Sequence, residues 1–333
     1  MLAISEHVRE IAGVDPRALP DEVLKATQPV VLRGLVASWP VTQAGAAAAD
    51  YLRRFYRDAT VGVLLGAPEI GGRFFYNEDL TGFNFRPVRM KLDAVLDEIA
   101  RYASDPRPPA LYVGSTTVDT CLPGFRDEND LDMGDRQPLV SVWIGNRTRI
   151  AAHHDLPDNL ACVVAGHRRF TLFPPSQLAN LYVGPLDYTP AGQAISLVDF
   201  AQPDFAKFPK FAEALKHAQV AELSPGDAIF IPSMWWHHIE SLDAFNVLVN
   251  YWWRQSPAFM DSPTTALMLA IMTVRDLPEE QRKAWENLFR HYVFEADEQT
   301  AAHIPQAARR VLAPLDDEAA RELRARLLQR LNR

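Results

Sequence analysis

The sequence predicts a mainly β protein, a barrel of short strands with α additions at both ends. Three observations predict it. Between residues 110 and 255, short runs rich in β-branched and aromatic residues alternate with Gly, Pro and Asp punctuation, the pattern of strands joined by turns. A His-x-Asp triplet, His153-His154-Asp155, closes one such run, and His237 stands beside another far downstream, a separation that suits two strands meeting across a barrel. From residue 256 onward the apolar residues change to helical spacing.

In chain order, residues 1–110 read as mixed α/β elements that pack on the barrel. Residues 29–34 form a strand leading into a turn, 46–56 a helix, 61–65 a strand and 91–103 a helix, which Asp105-Pro106-Arg107-Pro108-Pro109 terminates. Residues 111–255 form the core. Strand residues 140–144 precede the triplet, and residues 159–173 read as strand, tight turn at Gly166 and strand, stopped by Pro174-Pro175. A long crossover over 183–219, with Pro185, Pro190, Pro203 and Pro209, is expected to shape substrate entry. The turn Ser224-Pro225-Gly226-Asp227 then leads into the strand 228–232, and Asp227 is expected to hold backbone amides there. Residues 256–333 are helical. Ser262-Pro263 and Pro278-Glu279 start two helices, and a last one carries Leu323, Leu327, Leu328 and Leu331 on a stripe among arginines.

Alternate residues of a strand share a face, so His153 and Asp155 point the same way while His154 points away. With His237 they make two imidazoles and one carboxylate on one side of a metal, the 2-His-1-carboxylate set of oxygen-activating non-heme Fe(II) sites. His238 alternates to the other face, as His154 does. Among the clustered Trp235, Trp236, Trp252 and Trp253, part is expected to be core and part a substrate wall.

These segments resemble the JmjC and cupin-like Fe(II)/2-oxoglutarate oxygenases, most closely the asparaginyl hydroxylases among them. The matching stretches are His153-His154-Asp155 with Asn159, Gly166-His167-Arg168-Arg169 through Pro174-Pro175, Pro225-Gly226-Asp227, Ile231-Pro232, 235–241, and Val249-Asn250-Tyr251-Trp252, in order over roughly residues 110–255. The resemblance implies a double-stranded β-helix, a jelly-roll-like barrel holding Fe(II) through His153, Asp155 and His237. It also implies 2-oxoglutarate as cosubstrate, chelating the metal by its keto-acid end. The distal carboxylate would reach Arg168, where the asparaginyl hydroxylases carry lysine, with help from Tyr112, and Asn159 and Asn250 would lie near the keto-acid end. Ile150 stands where those relatives have a cosubstrate-binding threonine, and Thr148 is the expected replacement. Related hydroxylases dimerise through C-terminal helices, so a homodimer is expected.

Composition narrows the setting. The 333 residues are 48% hydrophobic with a formal net charge of −8, which excludes the basic footprint of a nucleic-acid binder. Two cysteines without metal-type spacing suit a reducing cytoplasm. No signal-type N-terminus and no apolar run of about 18 residues is present, so no membrane partner is expected. P-loop, dinucleotide and GxSxG motifs are absent. Three readings stay open: an Fe(II)/2-oxoglutarate hydroxylase using O2 on a protein side chain, a peptide or a small metabolite; a metal-dependent cupin isomerase or dioxygenase without 2-oxoglutarate; and a non-catalytic binding or regulatory protein on the same fold.

Overall fold

A computed structural model describes Leu2 and residues 4–332, which fall into two compact units, Met1–Gln255 and Ser256–Arg333. Among the described residues the first unit carries fourteen strands: β1 (Arg9–Ala12), β2 (Val30–Arg33), β3 (Thr60–Gly66), β4 (Arg73–Phe74), β5 (Phe85–Lys91), β6 (Ala110–Thr117), β7 (Leu139–Gly145), β8 (Arg149–His153), β9 (Asp158–Ala165), β10 (Arg168–Phe173), β11 (Gln219–Leu223), β12 (Ala228–Ile231), β13 (Trp236–Ser241) and β14 (Asn246–Trp253). They form a nine-stranded sheet in the order β1-β2-β12-β9-β14-β7-β6-β3-β5 and a five-stranded sheet in the order β11-β10-β13-β8-β4. Consecutive strands β9 and β10 lie in different sheets, as do β12 and β13, so the chain winds back and forth as in a jelly roll.

Side-chain alternation explains the packing. On β9, Ala161 and Val163 join Phe170, Leu172, Leu223, Ile229 and Leu248 in a core shared by the two sheets. Their neighbours Leu160, Cys162 and Val164 face the other way, against the N-terminal elements, including Leu92, Leu96 and Ile99 of the helix Leu92–Arg101. Every residue of β9 is consequently buried, as expected of a strand covered on both faces. The outer face of the smaller sheet is covered by the crossover, where Phe173 and Trp236 pack on Leu181, Val198 and Phe211. The N-terminal elements do more than pack on the barrel: β1, β2, β3 and β5 hydrogen-bond into the large sheet and lengthen it at both ends.

Two turns carry the sheet crossings. Gly166, between β9 and β10, has φ +70°, and a Cβ there would collide with Asn246 and the Phe245 carbonyl. Asp227 accepts from the Gly34 and Ser224 amides at 2.9 and 3.0 Å and from Arg33 at 2.6 Å, tying the turn before β12 to the end of β2.

The second unit contains the helices Pro263–Thr273, Glu279–Phe289 and Asp317–Leu331. Ser262 caps the first by accepting from the Thr264 amide, and Asp316 caps the last by accepting from Ala319 at 2.9 Å. These helices bury almost nothing of their own: Ala320 is the one buried residue among the three, while Trp285, Leu288, Leu327, Leu328 and Leu331 are exposed. Among the described residues no helix is long and apolar enough to cross a membrane.

Candidate active site

Strands β8 and β13 run antiparallel and set His153 directly opposite His237. The register slips between this pair and the next, Ile150 opposite Ile239, because β8 carries one extra residue there. That bulge lets Ile150 and His153, three positions apart, face the same cavity. Asp155 follows just beyond the strand, and its carbonyl accepts from the Met234 amide at 2.9 Å, fixing the segment before β13 against it. The ligand atoms of His153, Asp155 and His237 lie within 4.8 Å of one another.

The ring nitrogens are already assigned by their neighbours. His153 Nδ1 donates to the Ala151 carbonyl at 2.9 Å, and His237 Nδ1 donates to the Trp235 carbonyl at 3.0 Å. A carbonyl only accepts, so each Nδ1 carries the proton and each Nε2 keeps a lone pair for a metal, the usual outer support of a histidine ligand. His237 Nε2 lies 3.6 Å from Asp155 Oδ2, while the other carboxylate oxygen accepts from Gln193 Nε2 at 2.9 Å. Burial alone would raise the Asp155 carboxyl, but His237, His153 and Gln193 outweigh it and hold the group at about 2. Burial pulls His153 down to about 4. The set is thus two imidazoles with free lone pairs and one carboxylate, the donor chemistry that a ferrous ion takes. His154 and His238 point elsewhere, onto the Trp236 and Phe200 rings.

The triad opens into a cavity of 550 Å³ between the two sheets. Arg168, on β10, reaches into the same space; it is 2% exposed, and its Nε and Nη2 have no partner. Its neighbour Arg169 alternates outward and pairs with Glu222. Burial lowers the Arg168 guanidinium to about 10, against a smaller opposing effect of Tyr112. A buried cation with idle donors is an expensive feature unless an anion completes it. A dicarboxylate with one end on the metal and the other on Arg168 fits this arrangement, and a fork-shaped guanidinium is suited to a carboxylate.

The remaining predicted residues divide. Tyr112, Asn159 and Asn250 all line the cavity. Both ends of the Asn250 amide are engaged by protein: Trp143 Nε1 donates to it at 2.7 Å, and it donates to Asn159 Oδ1 at 3.2 Å. Thr148 is not brought to the cavity. It lies just ahead of β8, and its buried hydroxyl is 3.3 Å from Ser241 Oγ. Of the clustered tryptophans, Trp252 lines the cavity, whereas Trp235, Trp236 and Trp253 are core. Sequence reasoning missed Trp143 and Gln193. Trp143 was visible only as one strand aromatic among several, and Gln193 sits in the proline-rich crossover, where no periodicity marks it.

A family model described as "Cupin-like domain" matches residues 16–259. The chain belongs to the cupin-like domain family. Members with JmjC-type names are among its relatives: it is 34% identical over 150 residues to lysine-specific demethylase JMJ31 of Arabidopsis thaliana, covering 43% of this chain and 26% of that one. It is 27% identical over 236 residues to lysine-specific demethylase 8 of Xenopus tropicalis, covering 70% and 49%, and 33% identical over 145 residues to tRNA wybutosine-synthesizing protein 5 of Gallus gallus, covering 39% and 42%. The chain therefore spans less than half the length of each of these curated relatives. The names of these relatives differ, so family membership carries the barrel and leaves the substrate open.

Proposed function

We propose that this protein is an Fe(II)- and 2-oxoglutarate-dependent oxygenase of the hydroxylase type, acting on a protein or peptide side chain or a small metabolite. The observation that carries the reading is the pairing, in one cavity, of a three-ligand metal set with a buried arginine whose donors have no protein partner. Bound Fe(II) and 2-oxoglutarate would supply oxidation by O2, with succinate and CO2 as coproducts. His153, Asp155 and His237 would hold one side of the ion and leave the other open. Arg168 would hold the distal carboxylate, Tyr112 would line that end, and Trp143, fixed by Asn250, would wall the cavity. The names of the demethylase relatives support an oxidative role of this kind. Two buried free thiols suit the reducing cytoplasm. The exposed leucine stripe of the last helix supports a homodimer.

Anaerobic titration with Fe(II) and then 2-oxoglutarate tests the reading through the visible metal-to-ligand charge-transfer band. Appearance of the band supports it. Metal binding without the band transfers the case to a cupin isomerase or a dioxygenase that dispenses with 2-oxoglutarate, and no binding at all transfers it to a non-catalytic module.

A further inference from the structure

We infer that the substrate group entering this cavity is uncharged; the inference rests on the oxygenase reading and narrows its substrate class. Among the described residues lining the cavity, Asp155 and Arg168 are the only acid and the only arginine or lysine. Both are already committed by that reading, Asp155 to the ion and Arg168 to the far carboxylate. With Fe(II) and doubly ionised 2-oxoglutarate in place, the two positive charges of the ion and the one of Arg168 are matched by Asp155 and the two carboxylates. A charged substrate group would enter with no counter-ion.

The rest of the wall is built to stay neutral. Strands β3 and β5 present Gly62, Leu64 and Pro87 to the cavity, while Arg86, beside Pro87, lines a separate groove. The crossover contributes Pro190, Ala191 and Gln193. That segment is held down by Tyr188, which stacks on Phe83 at 4.9 Å, donates to the Thr81 carbonyl at 3.1 Å and accepts at its own carbonyl from Tyr76 at 2.5 Å. The polar side chains left for a substrate are amides and hydroxyls. Ser115, at the bulge of β6, adds a hydroxyl that lies 3.5 Å from Ser141 Oγ.

An N-methylated ammonium is the instructive counter-case, since faces of aromatic rings can hold such a cation. The aromatic rings of the wall pack on one another: Trp143 and Trp252 meet at 84° with centroids 5.5 Å apart, Tyr112 lies 5.8 Å from Phe74 and 6.0 Å from Trp143, and Phe170 is fully buried. With no spare carboxylate on the wall, the cation would give up its hydration for little in return.

The test uses the full chain loaded with Mn(II) and 2-oxoglutarate, and five blocked amino acids as probes: the N-acetyl N-methylamides of norleucine, glutamine, lysine, Nε-trimethyl-lysine and glutamate. Broadening of probe proton resonances by the paramagnetic ion reports entry into the cavity. The norleucine or glutamine probe is expected to bind at least about tenfold more tightly than the three charged ones. Ser115→Asp places a carboxylate on the wall at a residue that is not one of the metal ligands, and should narrow the deficit of the lysine and trimethyl-lysine probes by about tenfold. Trimethyl-lysine or glutamate binding the unaltered protein as tightly as norleucine overturns the inference, as does equal broadening, or none, for all five. Failure of Mn(II) or 2-oxoglutarate to bind, read separately by water relaxation and calorimetry, instead overturns the oxygenase reading beneath it.

Discussion

His153 and His237 face each other as direct partners across β8 and β13, with ring centroids 4.3 Å apart and each Nδ1 tied to the carbonyl two residues earlier in the chain. Both imidazoles are thereby aimed before any ion arrives. Replacing His153, Asp155 or His237 by Ala is expected to abolish stoichiometric Fe(II) binding in anaerobic calorimetry, because a three-ligand set has no spare member. His154→Ala and His238→Ala should still bind one ion, since their rings pack on Trp236 and Phe200. Retention of metal by His153→Ala together with its loss in His154→Ala would reverse the assignment.

Arg168→Met should leave Fe(II) affinity nearly unchanged but weaken 2-oxoglutarate binding by roughly two orders of magnitude, the effect of removing one partner of a buried charge pair. Arg168→Lys should recover part of the loss, as the charge returns on a shorter stem without the fork. Titration of the charge-transfer band measures both variants. Normal saturation of Arg168→Met would remove this residue from the cosubstrate site.

Gln193→Ala should loosen the carboxylate that Gln193 now holds through Asp155 Oδ1. Supports of this kind change metal affinity by about 10–100-fold. The Co(II)-substituted variant should show an altered visible spectrum, which a remote folding defect would not produce, and Gln193→Asn, whose side chain is shorter, should restore little. A spectrum and affinity identical to the parent would make the contact incidental.

Gly166→Ala should destabilise the first unit without touching the site. Its positive φ costs an L-residue about 1–2 kcal/mol, and the added methyl meets Asn246 and the Phe245 carbonyl. The urea midpoint should fall at constant slope, and an unchanged midpoint would show that the turn relaxes freely.

Deletion of residues 315–333 should convert a dimer into a monomer. Leu323, Leu327 and Leu331 are spaced by four on the last helix, and Leu327 and Leu331 are 40% and 51% exposed, a stripe that a second copy would cover. Light scattering at micromolar concentration checks this. A full-length chain that runs as a monomer leaves the stripe to some other role.

Much of this molecule was legible in the chain. The helix Leu92–Arg101, strands β2 and β3, the tight turn at Gly166 and the capped C-terminal helices all follow from local signals that act within a few residues: periodicity, capping side chains, and a glycine where φ must be positive. Strands β1, β4 and β5 were not legible, because β1 and β5 have no fully buried residue and β4 has only two residues, too little to leave a pattern.

The site divides along the same physical line. Which residues can ligate a metal depends on side-chain chemistry, so the sequence by itself determined the candidates; strand alternation stops at His153, and Asp155, beyond the end of β8, is held by the Met234 amide and Gln193. The tertiary structure alone decided the rest: the bulge that turns both Ile150 and His153 inward, the bond from Gln193 in the crossover to Asp155, the diversion of Thr148 to Ser241, and the isolation of Arg168 from every protein acceptor at its Nε and Nη2. Each of these is a relation between segments distant in the chain. Such relations depend on how two sheets and a crossover close around a shared interior, which no local pattern encodes.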